Sequence, residues 1–384
     1  MKQRNTRESF VIGGWAFAII FLFLYSYTQV DLSLTLSRVS AWQVIQKSFQ
    51  FIGFYQRPLS TFLYVSIVSL LYVLYGATIK GALRGWLSRT WLWRIILSTT
   101  AILVFSYPAF SYDLFNYMFT AKTVLVYHKN PYAVVPLEFS GVDPWLSFLH
   151  WTHLPSAYTP LWIFMTLPAY ILGFRMFLLT MFNIKLLVGI SYIGAVWALE
   201  RVMETFDPKN ARVSVAVFAL NPLVIVEGLV SGHNDMVMMA LSMVSLLLFV
   251  KRKAWFSWIA LVLSIAAKLM TVFLLPSVLF GWNRKIALFG MCLGLLLVMT
   301  QREVLPWYFL WIMPFVALFP DNGNIVLVAG GVSLGLLLRY APFIYFGHWD
   351  APVPLLKLWL TTIPIAVSLA RVALVAFPRS RRSS

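Results

Sequence analysis

Long apolar runs recur along the whole chain and are separated by short polar loops. A membrane-spanning helix needs about 20 mostly apolar residues. The pattern therefore predicts an all-α, polytopic integral membrane protein with about twelve transmembrane helices and additional juxtamembrane helices on the outer face. The predicted spans are 12–27, 61–78, 95–111, 185–199, 213–230, 236–250, 255–267, 271–280, 286–300, 307–319, 325–345 and 355–377.

The segment 160–180 is also apolar enough to span, but it contains Pro160 and Pro168 and ends with Arg175. If it crossed the membrane, every later loop would change sides. We therefore expect a helix that lies in the outer interface, or one that dips into the bilayer and returns beside a cavity.

The composition supports a membrane protein, since 60% of residues are hydrophobic and only 11% are charged. Soluble domains are closer to half apolar and a quarter charged. The net charge of +17 comes from basic residues dispersed in short loops, so it indicates a cytoplasmic face near anionic lipid rather than nucleic-acid binding.

The distribution of positive charge predicts a multi-pass protein of the cell membrane with both termini in the cytoplasm. The anchors of this orientation are the N-terminal Lys2, Arg4 and Arg7, the loop Lys251, Arg252 and Lys253, and the C-terminal Arg379, Arg381 and Arg382. The unusual polar clusters then share the opposite, extracytoplasmic face: 113–158, 231–235, Lys268, 301–308 and 347–350. Their convergence predicts that chemistry or binding takes place there.

Asp113 is the most informative of these polar residues, because an acid at the edge of a membrane segment costs free energy unless it is paired or used. It opens a long loop, 112–159, and long ordered loops usually serve as lids or binding loops. The residues 113–127 can form an amphipathic interfacial helix with its apolar side towards lipid. The simpler alternative is that Asp113 only caps this helix.

The sequence Ser231-Gly-His-Asn-Asp235 joins two predicted spans. Gly232 permits a tight turn, and His233 and Asp235 could bind phosphate or sugar hydroxyls. The alternative is a hairpin turn in which Asn234 or Asp235 caps the next helix. One histidine beside one aspartate is a weak metal signal, so we predict no metal site.

Lys268 lies inside an apolar run, where a lysine is by default a functional candidate. It could pair with a carboxylate or a lipid phosphate, or it could extend to the interface. Arg302 and Arg339 are weaker candidates for the same anion. The run Trp307–Trp311 is typical of an interfacial aromatic belt, although it could also stack on a sugar ring.

Taken in order, these motifs resemble the membrane-embedded GT-C superfamily of glycosyltransferases, and most closely its bacterial polyprenyl-phosphate-mannose-dependent alpha-mannosyltransferases. The similarity covers residues 112–314. The motifs are Tyr112-Asp-Leu-Phe-Asn-Tyr117, Asn130-Pro-Tyr132, Tyr158-Thr-Pro-Leu161, Asn221-Pro-Leu223, Gly232-His-Asn-Asp235, a lysine before a run ending in Pro276, and Pro306-Trp-Tyr308.

The resemblance implies a sugar donor linked through one phosphate to a polyprenol, inversion at the anomeric carbon, and an active site on the outer face. By position, Asp113 would be the catalytic base, and the growing phosphate charge would be stabilised by Lys268. The residues expected to bind substrate are Lys268, His233, Asp235, Asn116, Tyr117, Tyr158, Arg302, Trp307 and Tyr308.

The partners implied are the polyprenyl-phosphate sugar donor, a glycan or glycolipid acceptor, and membrane lipid. No cofactor is expected, and a divalent cation is compatible but not required. The whole chain, 1–384, is then one transmembrane domain. In it, 1–94 is an N-terminal two-helix addition, 95–320 is the catalytic GT-C-like module with outer loop 112–159, and 321–384 holds C-terminal helices. The addition departs from many members, in which the large loop follows the first span.

Two other functions fit a polytopic protein. A transporter or flippase of a lipid-linked sugar usually shows paired internal repeats and broken helices at the bilayer midplane. The two halves of this chain show no such repeat, and its polar residues cluster at one face. A non-catalytic scaffold would not need a lysine and an acid facing a cavity.

Overall fold

The computed structural model describes residues 2–376, with side chains from residue 8 to residue 375, and this part of the chain is helical without strands. Two groups of the predicted basic anchors are therefore not covered. The side chains of Lys2, Arg4 and Arg7 lie outside the described part, and so do the whole residues Arg379, Arg381 and Arg382. The helices are α1 Lys2–Ser26, α2 Ser40–Gln50, α3 Arg57–Leu83, α4 Arg89–Leu103, α5 Asp113–Leu125, α6 Pro160–Ile171, α7 Phe177–Phe206, α8 Ala211–Ala219, α9 Asp235–Val250, α10 Ala254–Ala267, α11 Leu275–Leu279, α12 Arg284–Met299, α13 Met313–Val316, α14 Gly323–Leu338, α15 Ala341–Phe346 and α16 Val353–Ala376.

Five stretches of helix in the described chain are long and apolar enough to cross a membrane, and a sixth is added if one bent pair counts as a span. These are Glu8–Gln29, Arg57–Leu83, Phe177–Phe206, Gly323–Phe346, Val353–Val375 and the pair Ala211–Ala219 with Val224–Val230. Other predicted spans appear as shorter apolar helices: Asp235–Val250, Ala254–Ala267, Leu269–Leu279 and Pro306–Val316. Helices of this length reach about 15–25 Å, less than the roughly 30 Å hydrocarbon core, so the count of about twelve is not confirmed.

The predicted span 213–230 is broken in two, and its parts meet at an angle of 61°. Pro222 has no N–H to donate, and the amide oxygen of Asn221 accepts the backbone N–H of Leu223 instead (3.0 Å). The carbonyls near the break are also satisfied, since Tyr192 donates its hydroxyl to Ala219 (2.7 Å). The π-helical turn Val224–Val230 follows the bend and leads into the segment 231–235.

The segment 160–180 forms the helix α6 and then a turn in which Phe174 and Arg175 have positive φ. Twelve residues of helix extend about 18 Å, too short to cross a bilayer alone. The length of α6 agrees with the expectation that the segment 160–180 does not span the membrane. The side of the membrane on which the segment lies stays a prediction.

The C-terminal helix α16 packs against α14 through two glycines one turn apart. A Cβ on Gly335 would lie 2.3 Å from the carbonyl oxygen of Thr361, and one on Gly331 would lie 2.5 Å from the hydroxyl of Ser368. Small residues at this spacing let two membrane helices approach closely.

The helix α5 exists as predicted, but it does not lie with an apolar side on lipid. Its apolar residues are buried, including Leu114, Phe115, Met118 and Phe119, and it packs against α6 and α7. The expectation of a lipid-facing interfacial helix was wrong because the rest of the loop, up to residue 159, folds over the helix and covers it.

Candidate active site

A cavity of about 570 Å³ opens where α5, the end of the 112–159 loop, the α10 terminus and the 298–311 segment meet. Eight of the ten predicted site residues line it: Asp113, Asn116, Tyr117, Tyr158, Lys268, Arg302, Trp307 and Tyr308. His233 and Asp235 do not line the cavity; they lie behind its wall. The structure therefore brings together residues separated by nearly two hundred positions in the sequence.

Two of the sequence motifs, Asn130–Tyr132 and Tyr158–Leu161, pack against each other beside the cavity. The hydroxyl of Tyr132 donates to the carbonyl of Tyr158 (2.6 Å), and the amide of Ser156 donates to the carbonyl of Pro131 (2.9 Å). Thr159 then donates its hydroxyl to the carbonyl of Ala267 (2.8 Å), directly before Lys268. The loop is thereby joined to the opposite wall of the cavity.

A buried carboxylate holds the middle of the same loop. Asp143 forms an ion pair with Lys122 (2.7 Å) and accepts a hydrogen bond from the Tyr127 hydroxyl (2.8 Å). The ammonium of Lys122 also lies 4.3 Å from the centre of the Trp145 ring. Because its two partners belong to α5 and the residues just after it, Asp143 fixes the loop over that helix.

Asp113 is the first residue of α5, and its carboxylate is not used to cap that helix. Tyr112 occupies the cap position without a side-chain cap hydrogen bond. The Asp113 side chain is 18% exposed, lines the cavity, and faces the Nδ1 atom of His233 at 3.4 Å. The alternative in which Asp113 serves only as a helix cap was wrong.

Tyr158 faces Asp113 from the loop. Its hydroxyl lies within hydrogen-bonding reach of both Asn116 and Asp113. Burial and the negative charge of Asp113 raise the pKa of Tyr158 well above its ordinary value. The phenol therefore stays protonated beside the carboxylate.

His233 is completely buried between two carboxylates instead of contacting substrate. Its Nδ1 atom faces Asp113, and its Nε2 atom lies 3.3 Å from Oε2 of Glu227. Its ring stacks on the indole of Trp307 with centroids 4.1 Å apart. The prediction that His233 binds substrate directly was wrong, because the cavity wall formed by Trp307 lies over it.

The charge on His233 follows from these neighbours. Burial lowers the pKa of His233, but contacts with the carboxylates of Asp113 and Glu227 outweigh burial and raise this pKa from 6.5 to about 9. The two carboxylates therefore favour the protonated imidazole over the neutral one.

Asp235 is also buried, and it is bound from two sides. Both of its oxygens contact the ammonium of Lys268 (2.7 and 2.8 Å), and the indole N–H of Trp311 donates to Oδ1. Asn234, at the cap position of α9, makes no side-chain cap hydrogen bond. Asp235 thus holds a cavity-lining lysine, so both direct substrate binding and simple helix capping were wrong for it.

Lys268 interrupts the apolar run, and α10 ends just before it. Its backbone is extended (φ −162°, ψ 128°), after which the chain continues as the 3₁₀ turn Leu269–Leu274. The side chain is 27% exposed, lines the cavity, and also donates to Asn234 (3.3 Å). Its pairing with a carboxylate agrees with one of the two sequence interpretations, and the extension of Lys268 to the interface was wrong.

The two candidate arginines, Arg302 and Arg339, have different surroundings. Arg302 is exposed and lines the cavity. Arg339 instead pairs with Glu303 and donates to the carbonyl of Val304, so it is occupied by the protein itself. Lys357 pairs with Glu303 as well (2.5 Å). Arg302 is therefore the second cation that faces the cavity.

The aromatic run 307–311 is part of the site and not an interfacial belt. Trp307, Tyr308 and Trp311 all line the cavity, and Tyr308 and Trp311 stack with centroids 4.7 Å apart. The belt interpretation was wrong because the 3₁₀ turn Pro306–Trp311 packs against α9 and turns these rings inwards.

The predicted site set omitted Glu227 and Trp311. Glu227 is fully buried in the turn Val224–Val230, where Oε1 accepts the hydroxyl of Tyr340 (2.9 Å). A carboxylate in an apolar run is itself a signal that could have identified it. Trp311 has no comparable signal, since tryptophans near helix ends are commonly interfacial. Among the described residues, no group of three or more His, Cys, Asp or Glu is arranged to hold a metal ion.

A helical protein with membrane-length helices and a cavity that combines a carboxylate, a lysine and aromatic rings has the features of a membrane glycosyltransferase. Over residues 28–284, the chain matches the MptA/B family, described as alpha-(1→6)-mannopyranosyltransferase, N-terminal domain. Because the match covers more than half of the chain, the chain belongs to this family and is a mannosyltransferase of the GT-C type. No curated protein and no solved structure matches the chain significantly.

Proposed function

We propose that the protein transfers a hexose, mannose, from a polyprenyl-phosphate donor to a glycan or glycolipid acceptor of the cell envelope, with inversion, on the outer face of the membrane. The observation that carries this proposal is that Asp113 and Lys268 line the same cavity, together with several apolar side chains. The mannosyl specificity is supported by the family match.

In the proposed step, the carboxylate of Asp113 accepts the proton of an acceptor hydroxyl as its oxygen attacks the anomeric carbon. The bond from that carbon to the phosphate oxygen breaks, and the departing polyprenyl phosphate gains negative charge. Lys268 and Arg302 stabilise this charge in a partly dehydrated cavity, where electrostatic interactions are stronger than in water.

The apolar wall of the cavity suits the polyprenyl chain. Leu269, Met270, Val298 and Leu305 all line it, and the first two directly follow Lys268. A phosphate at Lys268 would therefore have apolar surface beside it for the attached isoprene units. A water-soluble nucleotide-sugar donor would leave that surface without a complementary group.

We also propose the stereochemistry and the linkage. An alpha product formed with inversion requires a donor in which mannose is linked to phosphate in the beta configuration. The family name supports attack by a 6-hydroxyl of an acceptor mannose. The proposal needs no resident cofactor, and a divalent cation is not required because the donor carries a single phosphate.

We propose an extracytoplasmic cavity with both termini in the cytoplasm. The helix α9 begins at Asp235, behind the cavity wall, and ends at the basic turn Lys251–Lys253. The strongest cluster of positive charge therefore lies at the opposite end of α9 from the site, as the positive-inside rule would place it. Residues 95–320 would form the catalytic module, with 1–94 and 321–384 as flanking helices.

The test is a transfer assay with the purified full-length protein. It is incubated with polyprenyl-phosphate-[¹⁴C]mannose or GDP-[¹⁴C]mannose, each with extracted envelope lipids and glycans as acceptors. We expect mannose transfer from the lipid donor alone, and an alpha-(1→6) linkage in the product by NMR. Transfer from GDP-mannose alone, or passage of the lipid donor across proteoliposomes without any transfer, would contradict the proposal.

A further inference from the structure

The residues behind Asp113 form a chain of buried polar groups. His233 lies between Asp113 (3.4 Å) and Glu227 (3.3 Å), and Glu227 in turn accepts the hydroxyl of Tyr340 (2.9 Å). His233 and Glu227 are both fully buried, whereas Asp113 alone reaches the cavity. The turn that presents His233 needs Gly232, whose φ is +76° and whose missing Cβ would meet Leu114 at 3.2 Å.

Hydrogen-bonding capacity restricts the state of this histidine. An ionised carboxylate only accepts hydrogen bonds, whereas a neutral imidazole has one donor and one acceptor nitrogen. Both nitrogens of His233 lie within ion-pair distance of carboxylate oxygens, and both contacts with ionised carboxylates are attractive only when the ring carries both protons. The stacked Trp307 ring adds a favourable surface for a cation.

The other ionisable groups around His233 are engaged elsewhere. Asp235 and Lys268, beyond Asn234, neutralise each other. Lys185 packs its aliphatic stem against Gly232 and donates to Ser106 (2.6 Å to the carbonyl). Tyr117 and Tyr158 contact the site from the side of Asp113. The two carboxylates therefore dominate the environment of the imidazole.

We infer that His233 and Glu227 are positioning residues for the Asp113 base: the protonated imidazole orients the carboxylate, and Glu227 keeps the imidazole charged throughout the reaction. This inference rests on the proposed function. The proton of the acceptor hydroxyl passes to Asp113 as the new carbon–oxygen bond forms and the bond to phosphate breaks. Asp113 then becomes neutral, and Glu227 still balances the imidazolium, which keeps both of its protons.

This arrangement explains why two buried acids accompany one histidine. Without Glu227, protonation of Asp113 would leave an unpaired buried cation, which is strongly unfavourable. With Glu227, the charge of the buried pair does not change during the step. The pair thereby removes an electrostatic cost from the stage at which Asp113 accepts the proton.

The first test measures protonation directly and does not depend on activity. The protein has five histidines, and ¹⁵N-imidazole labelling in detergent at about pH 8 should show one doubly protonated ring, because ordinary histidines titrate near pH 6.5. That signal should disappear in His233→Gln and persist in His153→Gln, a control at an exposed histidine. A wild-type spectrum without an imidazolium at this pH would overturn the inference, whatever the assay shows.

The second test is kinetic. Glu227→Gln removes one stabilising carboxylate, so the alkaline limit of kcat should move to lower pH, and kcat should fall by about 10- to 100-fold with the donor KM nearly unchanged. Glu200→Gln is the matched control, since Glu200 is an equally buried carboxylate paired with Arg89 away from the cavity.

If Glu227→Gln does not fold, Tyr340→Phe, which removes only the donor to Glu227, should shift the alkaline limit instead. An unchanged pH profile in a folded variant would contradict the inference, while inactive wild-type protein with an intact imidazolium signal would contradict the proposed function only.

Discussion

Lys268 and Asp235 form an ion pair, with Nζ and Oδ1 separated by 2.7 Å, where α10 ends and α9 begins. Asp235 is fully buried, whereas Lys268 reaches the cavity. A buried carboxylate can thus hold an ammonium in place for a second anion. For the proposed donor phosphate, Lys268 would thus be a charge already held in place and not one that must be ordered when substrate binds.

Replacement of Lys268 is expected to impair donor use more than acceptor use. Lys268→Met should raise the donor KM by at least about tenfold, since a charge-assisted contact contributes roughly 1.5–3 kcal/mol. It would also leave the buried Asp235 without its cationic partner, with only the Trp311 N–H beside it, and destabilise the fold. The double variant Lys268→Met with Asp235→Asn should recover thermal stability but not donor affinity. Equal changes in donor and acceptor KM would argue against a phosphate role.

The packing of α14 on α16 gives a prediction for stability. Gly335→Ala should lower the free energy of unfolding by about 1–3 kcal/mol, because its Cβ would collide with the Thr361 carbonyl. Gly330→Ala is the control, since a Cβ there meets nothing within 4 Å. Thermal unfolding in one detergent should show a lower Tm for the first variant only. Equal Tm values would mean that these helices do not pack as described.

Stability should depend on pH through His233. Its pKa is raised in the folded protein to about 9 from 6.5, so its contribution is complete below about pH 6.5 and is lost as the pH rises through about 9. The Tm of the wild type should therefore fall between these pH values more than that of His233→Gln. Parallel Tm curves for the two proteins would show that His233 does not carry the charge.

Long apolar runs were sufficient to predict an all-helical membrane protein, because each segment must satisfy its own backbone groups in lipid. The span boundaries were not predictable where the chain breaks. Asn221–Pro222 bends one span, and Lys268 ends another, and in both places side chains or loops replace helical hydrogen bonds. Apolar composition alone does not distinguish a full span from a short helix that packs on its neighbours.

The sequence singled out Asp113 and Lys268, which line one cavity, because a carboxylate and a lysine in apolar surroundings are costly unless they are paired or used. Which of the polar residues reach the cavity and which are buried behind its wall was not predictable. Asp113 and His233 are 120 positions apart in the sequence, and only the fold shows that Asp113 reaches the cavity and that His233 lies buried beside it. The inward rotation of Trp307 and Trp311 likewise depends on tertiary packing and not on local pattern.

The orientation in the membrane can be tested with cysteine labelling. Cys292 is the only cysteine, so a Cys292→Ser background allows single probes. Ser140→Cys, in the exposed loop, should react with an impermeant maleimide in intact cells. Lys209→Cys, in an exposed basic turn, should react only after lysis. The reverse pattern would place the cavity in the cytoplasm.

The most direct test of the account is the rate of mannose transfer from polyprenyl-phosphate-mannose by Asp113→Asn. The substitution keeps the shape of the side chain and removes the base, so transfer should fall by about 10²- to 10⁴-fold in a protein that remains folded and inserted. Asp350→Asn, at a side chain that is 94% exposed and outside the cavity, should retain wild-type transfer. Near-normal transfer by Asp113→Asn would contradict the central claim that this carboxylate deprotonates the acceptor.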